Sequence, residues 1–321
     1  MSGVGRVAHG VEHSPHQVFG RAMGVVGMGT VVLVHGIGNL VRGASPQQAA
    51  ELKAAAAAER LSRGLNAAGL SHVPVPSLVM AYYAHQLADD YRPEQQSADG
   101  STLEDLTPAQ EGEAWEWLEA AGVAPPREGQ AGMLSPLRWA VNRLVEQRAG
   151  DDAPSEARRR LAELLSRLVV AMLQDTDAYT SRPGRRKAVR ATVAQAVRDH
   201  DARVVVAHSL GSVVAYETLH AHPDLELDLL LTLGSPLGLP ALMRKLDPEP
   251  VDGRGTRPPG VRHWVNIADV GDLLAVPREL GGAFPVDVHA TTDIGLFDPH
   301  TLGGYLSAGL TAAALAPYFT D

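Results

Sequence analysis

The stretch RVVVAHSLGSVVAYETL, residues 203–219, constrains the fold more than any other part of the chain. Val204, Val205 and Val206 suit a buried strand, while SVVAYETL has the spacing of a helix face. Between them the chain must reverse at His208-Ser209-Leu210-Gly211. A turn that sharp leaves no room for bulk two positions either side of its apex, and Ala207 and Gly211 are small. Ser209 is therefore expected in a strained conformation at the carboxyl edge of a sheet. Its Oγ is pushed outward, and the following helix aims its N–H groups and positive dipole end at the same spot. Such a hydroxyl suits a nucleophile that generates an oxyanion.

The flanking sequence alternates the same two elements. TVVLVHGIGN (30–39) reads as a buried strand running into a glycine-rich turn. SPQQAAELKAAAAAERLSRGLNAAG (45–69) reads as a helix, with Ser45 as N-cap, Pro46 at its first position and Gly69 as its stop. VPVPSLVMAYYA (73–84) is a second strand whose prolines stand at its entrance, where no ladder bond is lost. After a long interruption come a helix over 185–200, the strand 202–207 and the helix behind Ser209. The strand DLLLTLG (228–234), a short helix near 239–246, the strands VRHWVNIAD (261–269) and FPVDVHAT (284–291), and a helix from Thr301 follow. Right-handed crossovers then give an α/β fold: a twisted, mostly parallel sheet of about six strands with helices on both faces.

The interruption, residues 86–183, shows no strand. One helix covers 108–121, with Thr107 as N-cap, Gln110 closing a capping box and Gly122 at its end. A second covers 134–148. A third follows Ser155, where Leu161, Leu164, Leu165, Leu168, Val169, Met172 and Leu173 form an amphipathic stripe. The expected organisation is a single domain over 28–321 carrying this helical insertion. Residues 1–27 lack the basic start and solid apolar block of a signal peptide and are expected to be a disordered leader, with Met28 an alternative start to Met1. The histidines in it, His9, His13 and His16, are given no metal.

Composition removes several functions. The net charge is −9 and no basic stripe stands out, which argues against a nucleic-acid partner. Arg158, Arg159 and Arg160 alternate with a leucine pattern and read as a solvated helix face. With no cysteine there is no thiol nucleophile, zinc–thiolate site or disulfide, which fits the cytoplasm. No run of ~20 apolar residues spans a membrane. Asp175 and Asp177 in QDTDAY have no histidine partner, so no metal is expected there; no organic cofactor is expected either.

AHSLG, with a strand before it and a helix after it, resembles the nucleophile elbow of the α/β-hydrolase superfamily in its lipase and esterase variety. The strict motif is G-x-S-x-G; here Ala207 takes the place of the first glycine. VLVHGIGN resembles the H-G turn of lipases of this fold, at His35 and Gly36. TLGSPLG resembles their GSP loop, in which Ser235 has a structural role. The resemblance covers 28–84 and 185–321. It implies Ser209 as nucleophile and the backbone N–H groups of Ile37 and Leu210 as an oxyanion hole, supported by His35, Gly36 and Gly211.

The resembled fold places an acid and then a histidine after the serine in chain order. HWVNIADVGDLLAVP offers Asp269 and Asp272, and its D-x-x-A-V-P pattern looks like the lipase acid loop. That favours Asp272 and leaves Asp269 to cap the strand end. His200, His220, His222 and His263 sit on helices or in a strand, and His208 is expected to point away from Oγ. His289 lies within a strand, whereas His300 in FDPHTLGGYL lies in a loop before the last helix, where a mobile imidazole belongs; it is taken as the base. Asp293 and Asp298 read as turn residues.

The expected activity is that of a serine hydrolase cleaving carboxylic esters through an acyl-enzyme, with a small-molecule or lipid acyl substrate. A thioesterase or amidase on the same residues, or a catalytically silent member acting as a binding or signalling module, are the alternatives. The resemblance implies that the insertion is a cap over the carboxyl edge, which screens an apolar acyl pocket or presses on a lipid surface, or else only narrows access. Trp115, Trp117 and Trp139 are open to pocket-lining or core roles. Acyl length and oligomeric state are not legible.

Overall fold

The computed structural model describes residues 29–88, 102–126, 135–149, 154–295 and 300–319. The leader 1–27, Met28 and Asp298 lie outside these residues. The described chain runs β1 (Val31–Val34), α1 (Pro46–Ala67), β2 (Leu78–Ala81), α2 (Ala84–Leu87), a 3-10 turn (Leu103–Asp105), α3 (Pro108–Ala120), α4 (Pro136–Ala149), α5 (Ser155–Thr180) and α6 (Pro183–Asp199). It continues with β3 (Val204–His208), α7 (Leu210–Ala221), β4 (Leu227–Leu233), α8 (Pro240–Met243), β5 (Val261–Asp269) and β6 (Val288–Thr292). It closes with α9 (Leu302–Ser307), α10 (Gly309–Leu315) and a 3-10 turn (Ala316–Tyr318).

The six strands form one all-parallel sheet in the order β2-β1-β3-β4-β5-β6. The chain moves outward from β1 to β2, then returns across β1 to lay down β3. That reversal puts the carboxyl ends of β1 and β3 side by side, with Val34 paired to Ala207. In an open parallel sheet this switch point is where a crevice forms, because the two following connections leave toward opposite faces.

Alternate strand residues feed two separate cores. Val32, Val34, Val205, Ala207, Leu230 and Trp264 face one way and pack with α3 to α7. Val31, Leu33, Val204, Val206, Leu229, Leu231 and Ile267 face the other and pack with α1, α9 and α10. Helices therefore cover both faces, and the inner strands β1, β3 and β4 read as near-continuous apolar runs because neither side meets water.

The helix starts follow their cap chemistry. Gln48 N–H donates to Ser45 Oγ (3.2 Å), and Ser45 N–H donates back to Gln48 Oε1 (2.9 Å). Thr107 and Gln110 form the same reciprocal box at the start of α3. Three boundaries differ from the sequence expectation. β2 begins at Leu78, after both prolines have passed; β6 begins at Val288, because Phe284 turns into the core beside Trp264 and Tyr216. The C-terminal helix breaks at Ala308, whose backbone is extended (ψ 131°).

Between β2 and α6 the described residues hold only helices and turns. The α5 stripe is buried: Leu161, Leu165, Val169, Met172 and Leu173 join the same core as one sheet face, with Leu164 left exposed. Burying each of these side chains contributes about 1.5–3 kcal/mol, so the insertion is part of the folded body. Trp117 lies fully inside this core, and Trp115 and Trp139 pack against it. No helix among the described residues is long and apolar enough to cross a membrane.

Candidate active site

β3 ends at His208, and Ser209 follows with φ 55° and ψ −131°, a region that side-chain-bearing residues avoid. Holding it costs about 1–3 kcal/mol, and neighbouring bonds offset that. Ser209 N–H donates to Leu233 O (3.0 Å), while Ser209 O accepts from Ser212 N–H (2.9 Å) and Ser212 Oγ (2.6 Å). Ser212 Oγ also meets Ser235 Oγ (2.7 Å), which accepts from Leu237 N–H (3.3 Å). Ser235 thus ties the loop after β4 to the first turn of α7. Gly211 has no room for a side chain: a Cβ there would stand 2.4 Å from the carbonyl oxygens of both Val34 and His35.

Three polar side chains from three segments meet at Ser209. His300 Nε2 lies 2.7 Å from Ser209 Oγ, and His300 Nδ1 lies 2.6 Å from Asp272 Oδ2. Asp272 Oδ1 accepts from the amides of Leu274 (2.9 Å) and Ala275 (3.2 Å), which fixes the carboxylate in the loop after β5. Asp269 lies at the end of that strand. Its Oδ2 accepts from Gly271 N–H (2.9 Å) and its Oδ1 from Ile294 N–H (3.0 Å), a strand-end role away from the imidazole. His289 stays on β6 beside Asn266 Nδ2 (3.0 Å). Asp293 accepts from Gly295 N–H as a turn residue.

The loop after β1 lies against the same hydroxyl. A Cβ on Gly36 would come 2.5 Å from Ser209 Cβ and 3.0 Å from Oγ, so only glycine allows this approach. Ile37 follows directly. Leu210, the first residue of α7, has an amide with no intrahelical acceptor by geometry. Tyr83 N–H donates to His35 Nε2 (3.1 Å), which leaves the proton on Nδ1, and that proton goes to Gly36 O (2.9 Å). The ring stacks on Tyr83 at 4.0 Å. Burial lowers the His35 pKa to about 4, so the ring is neutral and acts as a fixed brace.

One contributor escaped the sequence reading. Tyr305 Oη donates to Asp272 Oδ2 (2.7 Å) and accepts from Asp269 N–H (2.9 Å), linking the two aspartates. Burial, and then the Asp272 charge, push its pKa up and keep it protonated. Its place at a regular apolar position of a helix hid it. His208, expected to point away from the hydroxyl, makes no hydrogen bond to it: its ring packs 4.8 Å from that of His300, and neither nitrogen has a hydrogen-bond partner among the described residues. Burial, with His300 and His35 nearby, holds it well below the usual imidazole range, so it adds no charge there.

The inserted helices touch the site at two points. Trp117 Nε1 donates to Leu273 O (2.7 Å), next to Asp272, and Asp175 Oδ2 accepts from Gly38 N–H (2.9 Å). Asp175 is therefore engaged with the glycine turn. No group of three or more metal-binding side chains occurs among the described residues. Ser209, His300 and Asp272 are 2%, 4% and 1% exposed, so the cluster is closed to bulk water. No family model, curated protein or solved structure matches the chain.

Proposed function

We propose that the chain is a serine hydrolase of the α/β-hydrolase kind that cleaves carboxylic esters through an acyl-enzyme. The observation that carries this reading is the continuous chain Ser209 Oγ–His300–Asp272 at 2.7 and 2.6 Å, mounted on a strained turn at the switch point of the sheet.

The mechanism follows from proton positions. An ionised Asp272 only accepts, so the His300 proton sits on Nδ1 and Nε2 is left to accept from Ser209 Oγ–H. As Oγ attacks the carbonyl carbon, that proton moves to Nε2, and Asp272 stabilises the imidazolium. The carbonyl oxygen gains charge opposite the Ile37 and Leu210 amides, supported by Gly36 beside Oγ and by the helix start opened by Gly211. His300 then gives its proton to the leaving oxygen. Water attacks the acyl-enzyme with His300 again as base, and Ser209 is regenerated. Since Ser209 is buried, a substrate carbonyl enters only when the surrounding elements part.

The test is turnover of p-nitrophenyl esters of graded chain length, with intact mass measured during the reaction. The reading expects one acyl adduct, on Ser209, and none in Ser209→Ala. Acyl-thioesters and anilides run in parallel separate ester cleavage from the thioesterase and amidase alternatives. No turnover of any acyl compound would favour the silent binding module.

A further inference from the structure

The glycine turn after β1 is braced on both sides, by parts of the chain far apart in sequence. A trans peptide points its C=O and its N–H in opposite directions. The Gly36 carbonyl accepts from His35 Nδ1 (2.9 Å) and Asn39 Nδ2 (3.1 Å), which turns the Ile37 N–H of the same peptide to the other side. The next peptide is also held at both ends. Ile37 O accepts from Asn39 Nδ2 (2.8 Å), and Gly38 N–H donates to Asp175 Oδ2 (2.9 Å). Asn39 is steadied in turn by Lys53 Nζ on its Oδ1 (2.7 Å). Asp175 alone among these braces comes from α5, inside the insertion.

We propose that Asp175 is a positioning residue for the Ile37 amide, so that the inserted helices supply part of the reaction apparatus. The proposal rests on the serine-hydrolase reading above. Ile37 is flanked by two glycines, and Gly38 sits at φ +63°, so the turn has little stiffness of its own. Fixing the peptides before and after Ile37 leaves its N–H one direction, and an oxyanion donor helps only when it is aimed before charge develops. The carboxylate charge itself is a poor neighbour for an oxyanion. Its use here is the lone pair that holds Gly38, which an asparagine oxygen also offers.

That distinction sets the experiment, made on the full chain with Asp175→Leu and Asp175→Asn. The measurements are kcat and KM on a p-nitrophenyl ester, the rate of Ser209 modification by a fluorophosphonate, and thermal melting. Asp175→Leu is expected to lower kcat and the modification rate about ten- to a hundredfold with KM within about twofold. Asp175→Asn is expected to stay within about threefold of the parent in both. Unchanged rates in Asp175→Leu overturn the proposal, as does an equal loss in Asp175→Asn. Loss of folded protein in either variant, or a change confined to KM, makes the role structural and overturns it as well. A parent protein that is never modified at Ser209 overturns the hydrolase reading itself; a modified parent with an indifferent Asp175→Leu overturns only the role of Asp175.

Discussion

Ser209 keeps a disfavoured backbone because the groups around it leave no alternative, and the small residues are what permit it. At Gly211 the two nearest atoms to a new Cβ are backbone oxygens of Val34 and His35, which cannot swing aside as a side chain can. Gly211→Ala is therefore expected to destabilise by roughly 3 kcal/mol or more, read by urea unfolding. His35 makes a second expectation. Its pKa is about 4 folded against 6.5 for a free imidazole, so the unfolded chain binds the proton more readily in between. Its contribution to stability is full above pH 6.5 and is lost as pH falls toward 4. From pH 7.5 to 5.0 the parent should lose about 2 kcal/mol more unfolding free energy than His35→Gln, in which contributions from other histidines cancel. The local chemistry of AHSLG and HGIGN was readable in the sequence because tight turns tolerate few residue types. Tyr305 was not, since a phenol hydroxyl finds its partner only once distant segments meet.

The elements are joined by polar ties that periodicity does not reveal. Glu217 on α7 is fully buried and accepts from Tyr179 Oη on α5 (2.6 Å), from Arg190 on α6 (2.6 Å to Nη2) and from Arg186 on the same helix. Removing its charge leaves Arg186 without a carboxylate partner and Arg190 with only the exposed Asp247 (2.8 Å), so Glu217→Gln is expected to cost about 3 kcal/mol, checked by thermal and urea melting. Trp117→Phe keeps the ring in the core but leaves Leu273 O without its donor. The expected loss is about 1–3 kcal/mol. A comparable melt for Trp117→Phe and parent would show that this tie carries no weight. Helix existence in the insertion was legible from capping boxes and the leucine stripe. The break at Ala308 was not, because alanine favours helix and only the packing of α9 and α10 on α1 explains an extended residue there.

Across the molecule, the alternation of strand and helix signals carried the class: six parallel strands with helices on both faces. Strand order is a different matter, because burial patterns fix which residues face inward and not which strand lies beside which. The order found explains why two distant motifs, HGIGN and AHSLG, lie side by side at one edge of the sheet. It also shows why the insertion belongs to the same body, sharing a core with one sheet face and reaching both site loops. The α5 stripe lies within that core, which gives the amphipathic pattern a packing explanation.

The most direct test is modification of the folded chain with a fluorophosphonate, followed by peptide mapping. A poised Ser209 attacks phosphorus and expels fluoride, giving one adduct per chain on Ser209, abolished in Ser209→Ala and slowed by a factor of about a thousand or more in His300→Ala. An unmodified folded chain, or an adduct placed on Ser235 or another serine, would contradict the account.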